Sequence, residues 1–128
     1  MSDLQGTLGI SASGMAAQAA RMRVVSENLA NADTPGYRRK MMAFQEMMVA
    51  GSEGVRAGPM RLSQADLKEI YDPANPLAGP DGTYEGSNVN MIIEIADARE
   101  AQRSYEANLR MFDQARRMGS ELLELLRR

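Results

Sequence analysis

The chain contains neither histidine nor cysteine. That removes the commonest general base, the commonest transition-metal ligands, thiol nucleophiles and disulfides together. It also lacks a dominant charge: 15 basic residues stand against 17 acidic ones, for a net charge of -2. Such a balance offers no broad footprint for nucleic acid or an anionic membrane, so partners are expected to be protein. No window approaches the roughly 20 apolar residues needed to span a bilayer, and the opening Met1-Ser2-Asp3-Leu4-Gln5-Gly6 does not read as a secretory signal. Gly51-Ser52-Glu53-Gly54 and Asp81-Gly82 lack the Gly-Lys-Ser/Thr that would complete a phosphate cradle, and read as turns. The acidic pairs Asp66/Glu69 and Glu121/Glu124 have no histidine or nucleophile beside them and read as solvated faces. Arg38-Arg39-Lys40 reads as a solvent or rim contact. No catalytic residue, cofactor or metal site is expected.

What is present is helical periodicity at both ends. Leu8, Met15, Met22 and Leu29 recur every seven residues, supported by Leu4 and Val25, and predict an amphipathic helix from Leu4 to Leu29 about 40 Å long. Gln18, Arg21 and Glu27 fall on its opposite side, and Arg21→Ala should cost little. Gly6, Gly9 and Gly14 weaken its first turns, which therefore need a neighbour. Asn31-Ala32-Asp33-Thr34-Pro35-Gly36-Tyr37 ends it near Ala32, with Pro35 and Gly36 placed for a type II turn.

Between Arg38 and Tyr84 the stripe gives way to frequent glycine and proline. Short strands are predicted at Arg39–Met48, Val55–Ser63 and Lys68–Tyr71. From Ser87 onward helix returns, with Ser87 or Asn88 as N-cap and Glu94 and Asp97 early, where the helix dipole favours acids. Its stripe carries Met91, Ala98, Tyr105, Phe112 and Leu126, joined by Ile95, Leu109, Leu122 and Leu123. The methionines Met15, Met22 and Met91 are read as packing, since methionine fills irregular gaps between helices.

The predicted fold is α+β: long N- and C-terminal helices packed as an antiparallel coiled coil around a small β-rich middle. The divisions are 1–37 for the first helix and its turn, 38–86 for the middle, and 87–128 for the second helix, which packs on the first as one unit. Ile92, Ile93, Met111, Met118 and Leu125 point off the main stripe, so further helices from other subunits are expected around the pair.

Val25-Ser26-Glu27-Asn28-Leu29-Ala30-Asn31-Ala32-Asp33-Thr34-Pro35-Gly36-Tyr37 resembles the N-terminal signature of flagellar rod and hook proteins. Ala101-Gln102-Arg103-Ser104-Tyr105-Glu106-Ala107-Asn108 is similar to the C-terminal helix signature of the same family. Tyr71-Asp72-Pro73-Ala74-Asn75-Pro76, followed by Ser87-Asn88-Val89-Asn90, resembles the proximal-rod members. It differs at Asn75, where histidine is common, and at Asp81–Gly86, where a Gly-Tyr-Val strand is usual.

The resemblance implies a structural subunit of the basal-body rod, exported by the flagellar type III apparatus without a cleaved signal. It implies helical assembly into the periplasmic shaft that carries torque from motor to hook. The implied partners are further copies of the chain, other proximal and distal rod proteins, and the basal-body export apparatus or an adaptor on the MS-ring side. Packing and motif residues are then expected at Leu8, Met15, Met22, Asn28, Leu29, Asn31, Thr34, Pro35, Gly36, Tyr37, Tyr105, Asn108, Leu109 and Phe112. Asn28 and Asn31 are expected to cap the helix and to bond across to a neighbour. The alternative is a cytoplasmic coiled-coil adaptor or export chaperone.

Overall fold

The computed structural model describes residues 2–49 and 51–127; Met1, Ala50 and Arg128 lie outside the described residues. Two long helices bracket four strands: α1 Ser2–Ala30, β1 Lys40–Val49, β2 Ser52–Leu62, β3 Glu69–Tyr71, β4 Thr83–Glu85 and α2 Met91–Arg127. The α+β arrangement predicted from the pattern is the one observed. The middle forms two separate antiparallel two-stranded sheets, β1 with β2 and β3 with β4. β4 lies in the segment that departs from the usual family strand, yet it pairs with β3 from Glu69↔Glu85 to Tyr71↔Thr83.

Local chemistry explains the boundaries. Thr34 accepts a hydrogen bond from the Tyr37 N–H at 3.1 Å around Pro35 and Gly36, and Gly36 takes φ 74. That is the expected type II turn, in a conformation open to glycine at the third position. The cap of α2 differs from expectation. Asn90 accepts from the Ile92 N–H at 3.0 Å, so the helix starts later than a Ser87 or Asn88 cap would place it. Ser87 and Asn88 are drawn elsewhere: Ser87 Oγ donates to the Ala32 carbonyl, and Asn88 Oδ1 accepts from the Arg39 N–H at 2.6 Å.

α1 and α2 pack antiparallel, with the start of α2 against the end of α1. Of the predicted stripe, α1 buries Val25 but not the positions that recur every seven residues. Gly14, Ala17, Val24, Val25 and Asn28 are buried, while Leu8, Met15, Met22 and Leu29 are half-buried on the flank. The seam therefore runs one residue earlier than the stripe, about 100° around the helix. On α2 the buried positions are Glu94, Ala101 and Ala115, rather than Met91, Ala98 and Tyr105. Small side chains explain the shift, because they let two helices of one chain approach closely where larger ones would hold them apart. A Cβ added at Gly14 would stand 2.5 Å from Asn108 Oδ1. Glycines that looked like weak points in α1 are positions of close approach.

The β1–β2 hairpin lies along α1, with the Val55 N–H donating to Ser13 Oγ at 3.2 Å. Its base at Lys40 meets the far end of α1 at Asn28. The core is accordingly small and partly polar: Ala17, Val24, Val25, Val89, Ala101 and Ala115, with Ser11, Ser13, Asn28, Ser87 and Glu94 buried among them. Ile92 is 80% exposed and Leu126 79% exposed, and Ile93, Met111, Met118 and Leu125 are exposed as expected.

Candidate functional site

Side-chain hydrogen bonds and ion pairs concentrate at the joint where the end of α1, the base of the hairpin and the start of α2 meet. Asn28 is its hub. Its amide nitrogen donates to the Lys40 carbonyl at 3.0 Å and to Glu94 Oε2 at 3.3 Å. Its amide oxygen accepts from the Lys40 N–H at 2.9 Å and from the Tyr37 hydroxyl at 2.8 Å. Both donors and both lone pairs are used, which is the full capacity of an asparagine side chain. Leucine at this position would leave four groups of the joint short of partners.

Around the hub runs a ladder of charge. Glu94 is fully buried, and Arg39 Nε donates to it. The same guanidinium reaches Asp97 at 3.0 Å, Asp97 accepts from Arg21 at 3.3 Å, and Arg21 also reaches Glu100 at 3.2 Å. Glu94, Asp97 and Glu100 recur every third residue, so all three acids lie along one side of α2. Lys40 pairs with Glu27 beside them. Burial, with the Glu27 charge second, pushes the Tyr37 hydroxyl above its ordinary value, so it stays a neutral donor to Asn28. The Glu27 hydrogen bond holds the Lys40 ammonium above its ordinary value.

A second tier pins the loops to this joint. The Asn88 amide donates to the carbonyls of Ser63 at 3.2 Å and Ala65 at 3.1 Å, and Arg38 Nη1 donates to the same two carbonyls. Arg38 and Arg39 are thus committed inside the chain, a correction to their expected role at the solvent rim. Arg21, expected on the polar side of α1, is an inter-helix partner.

The predicted motif residues divide. Asn28 and Tyr37 belong to the joint, and Thr34, Pro35 and Gly36 form the exposed turn that delivers Tyr37 to it. Asn31 bonds locally, to the Glu27 carbonyl at 2.9 Å and from the Thr34 hydroxyl at 3.1 Å, and does not reach a neighbouring helix within the chain. Asn108 sits in the seam opposite Gly14 and donates to the Ser104 carbonyl at 2.8 Å. Tyr105 and Phe112 are half-buried, and Leu109 is exposed. Sequence reasoning missed Arg21, Arg39, Glu94, Asp97, Ser87 and Asn88. A signal was available for one: Glu94 interrupts the apolar run Met91-Ile92-Ile93-Glu94-Ile95-Ala96, where an acid is costly without a partner.

Among the described residues no cluster of acids is arranged to hold a metal, and no helix is long and apolar enough to cross a membrane. Each of the joint's named side chains has a partner elsewhere in the chain. That is how a rigid building block is made, and it defines a structural class: terminal helices folded back on each other with a clamped hairpin between.

Comparison with known proteins places that class. Residues 8–38 match the model of the flagella basal body rod protein family, and residues 81–125 match that of the flagellar basal body rod FlgEFG protein C-terminal family. The chain is 41% identical to the flagellar basal-body rod protein FlgC of Agrobacterium fabrum, an alignment covering 99% of this chain and 98% of that one. It is 36% identical to FlgC of Salmonella typhimurium over 91% of this chain and 92% of the relative. FlgC of Bacillus subtilis is 33% identical over 93% and 95%. The chain belongs to the FlgC family of flagellar basal-body rod proteins.

Proposed function

We propose that the chain is a structural subunit of the flagellar basal-body rod, in its proximal part, where copies assemble helically with one another and with other rod proteins. The observation that carries this joins the family matches to the exposed apolar face of α2. The family matches cover most of α1 and α2, and α2 presents large apolar side chains outward at Ile92, Ile93, Met111, Met118, Leu125 and Leu126. Exposed apolar surface of this extent marks protein contact. Leu8, Met15, Met22, Leu29, Tyr105, Leu109 and Phe112, none of them in the deeply buried seam, are the flanking residues we assign to contacts between subunits.

The rod so built lies in the periplasm, and the chain reaches it through the flagellar export apparatus without a cleaved signal. Docking on that apparatus, or on an adaptor at the MS ring, is the contact at the start of the shaft. Torque transmission requires stiffness, which close-packed helices supply because dense interiors resist deformation. Nothing favours the cytoplasmic adaptor or chaperone, and the full-length likeness to rod proteins speaks against it.

The test is genetic and biochemical. In a strain lacking its own copy, the chain should restore motility and be recovered in purified basal bodies in its intact form. Restored solubility of other export substrates, with the chain confined to the cytosol, would overturn the assignment.

A further inference from the structure

We infer that Arg39, Glu94 and Asp97 are positioning residues that make hairpin docking and helix-pair closure a single event. Three segments distant in sequence meet there: α1 through Arg21 and Asn28, the base of the hairpin through Arg39, and α2 through Glu94 and Asp97. None of them completes the charge balance without the others.

Glu94 decides the matter because its side chain is wholly buried. A carboxylate there must find its neutralising charge within the fold. α1 offers it a neutral amide, Asn28 Nδ2 at 3.3 Å, while Arg21 reaches past it to Asp97 and Glu100. Among the described residues its ion-pair partner is Arg39, which belongs to neither helix. Closing α2 onto α1 with the hairpin base undocked would bury an unpaired charge.

The dependence also runs the other way. Once the Arg39 guanidinium is engaged, its own N–H is held by Asn88 Oδ1 at 2.6 Å, and the next residue, Lys40, is held through its N–H and carbonyl by Asn28. The hairpin therefore leaves the joint in a direction fixed by hydrogen bonds and charge. Asp97 links the two ends of the device, accepting from Arg39 at 3.0 Å and from Arg21 at 3.3 Å. A subunit built this way presents helices and hairpin as one body, with no hinge where they meet.

Amide hydrogen exchange on the full-length chain, read separately over the α1–α2 seam and over β1–β2, tests the coupling. Arg39→Met leaves Glu94 buried without its cation, and exchange should accelerate by about a hundredfold in both regions together. Arg39→Met combined with Glu94→Met removes both charges, since a buried pair is replaceable by apolar side chains of similar size. The seam should then return to within about threefold of the parent, while the Lys40–Phe44 end of β1 stays about tenfold faster. A role in stability alone would restore both regions in the double variant. If Arg39→Met abolishes folding altogether, the double variant decides by itself. The inference is overturned if the seam keeps its parental rates in Arg39→Met, if hairpin and seam recover together, or if the unsubstituted chain lacks joint protection. Such a failure leaves the rod assignment standing, because recovery in basal bodies measures that independently.

Discussion

The two ends of the helix pair are finished in opposite ways. At the joint, polar side chains are buried and matched to one another: Asn28 uses its whole hydrogen-bonding capacity, and the buried Glu94 has its arginine. At the other end, where the first turns of α1 lie against the later turns of α2, apolar side chains face outward. Leu4 and Thr7 line an open groove there with Met111 and Met118, and the last turns of α2 expose Leu122, Leu123, Leu125 and Leu126. Buried polar groups are expensive unless satisfied, so the joint has one arrangement and the chain completes it alone. Exposed apolar surface carries no such specification and gains stability when another surface covers it. The joint fixes the shape of the subunit, and the open end, together with the exposed Ile92 and Ile93 at the start of α2, is where other subunits contribute.

Substitutions should separate these regions, beginning with the largest effect. Arg39→Ala, which orphans the buried Glu94, should cost about 3 kcal/mol, the low end for a broken buried pair because the arginine is partly solvated. Asn28→Ala should follow at about 2 kcal/mol by stranding the Tyr37 hydroxyl and the Lys40 backbone groups. Denaturant melts of the purified chain would measure both, and values within about 0.5 kcal/mol of the parent would remove the joint from the account.

A glycine pair sharpens the contrast. Gly14→Ala pushes a methyl group into the Asn108 amide and should destabilise by about 1 kcal/mol or more, whereas Gly119→Ala meets nothing within 4 Å and should stabilise by up to about 1 kcal/mol through helix propensity. Thermal melts showing the same sign for both would contradict the seam. Leu125→Gln with Leu126→Gln should leave the stability of the isolated chain within about 0.5 kcal/mol while abolishing incorporation into basal bodies. Loss of folding with incorporation intact would reverse the roles of the two ends.

The smallest effect is expected from alkali. Tyr37 and Lys40 both have values raised in the folded chain above the ordinary 10.0 and 10.5. A raised value means that the protonated form is favoured by folding. The stabilisation is therefore complete below pH 10 and is lost as pH rises through the folded values. A melt series from neutral pH to beyond pH 11 should fall more steeply at its alkaline end than the same series for Tyr37→Phe.

The sequence made the helices legible because their periodicity is long, and the hairpin because the helical stripe stops and Gly51 marks the turn between its strands, although Gly58 and Pro59 lie inside β2. β1 and β2 came within a few residues of their predicted limits, while β4 escaped notice because Thr83–Glu85 is too short to show a period. The buried face of α1 was misjudged because Ala12, Ala16, Ala17, Ala19 and Ala20 surround the helix with small apolar residues. No periodic signal then selects one side, and the larger Leu8, Met15 and Met22 draw attention to the flank. Asn28 and Tyr37 were found through the family motif. Arg39 and Glu94 were not, since an ion pair between residues 55 apart leaves no local trace in the chain.

Side-chain and backbone footprinting of the chain, free and in purified basal bodies, tests the central claim most directly. The account predicts strong protection on assembly at Ile92, Ile93 and Leu122–Leu126, with labelling at Tyr37 and Asn28 unchanged because the joint is already complete. Equal labelling of the helix ends in both states, or a joint that becomes ordered only on assembly, would contradict it.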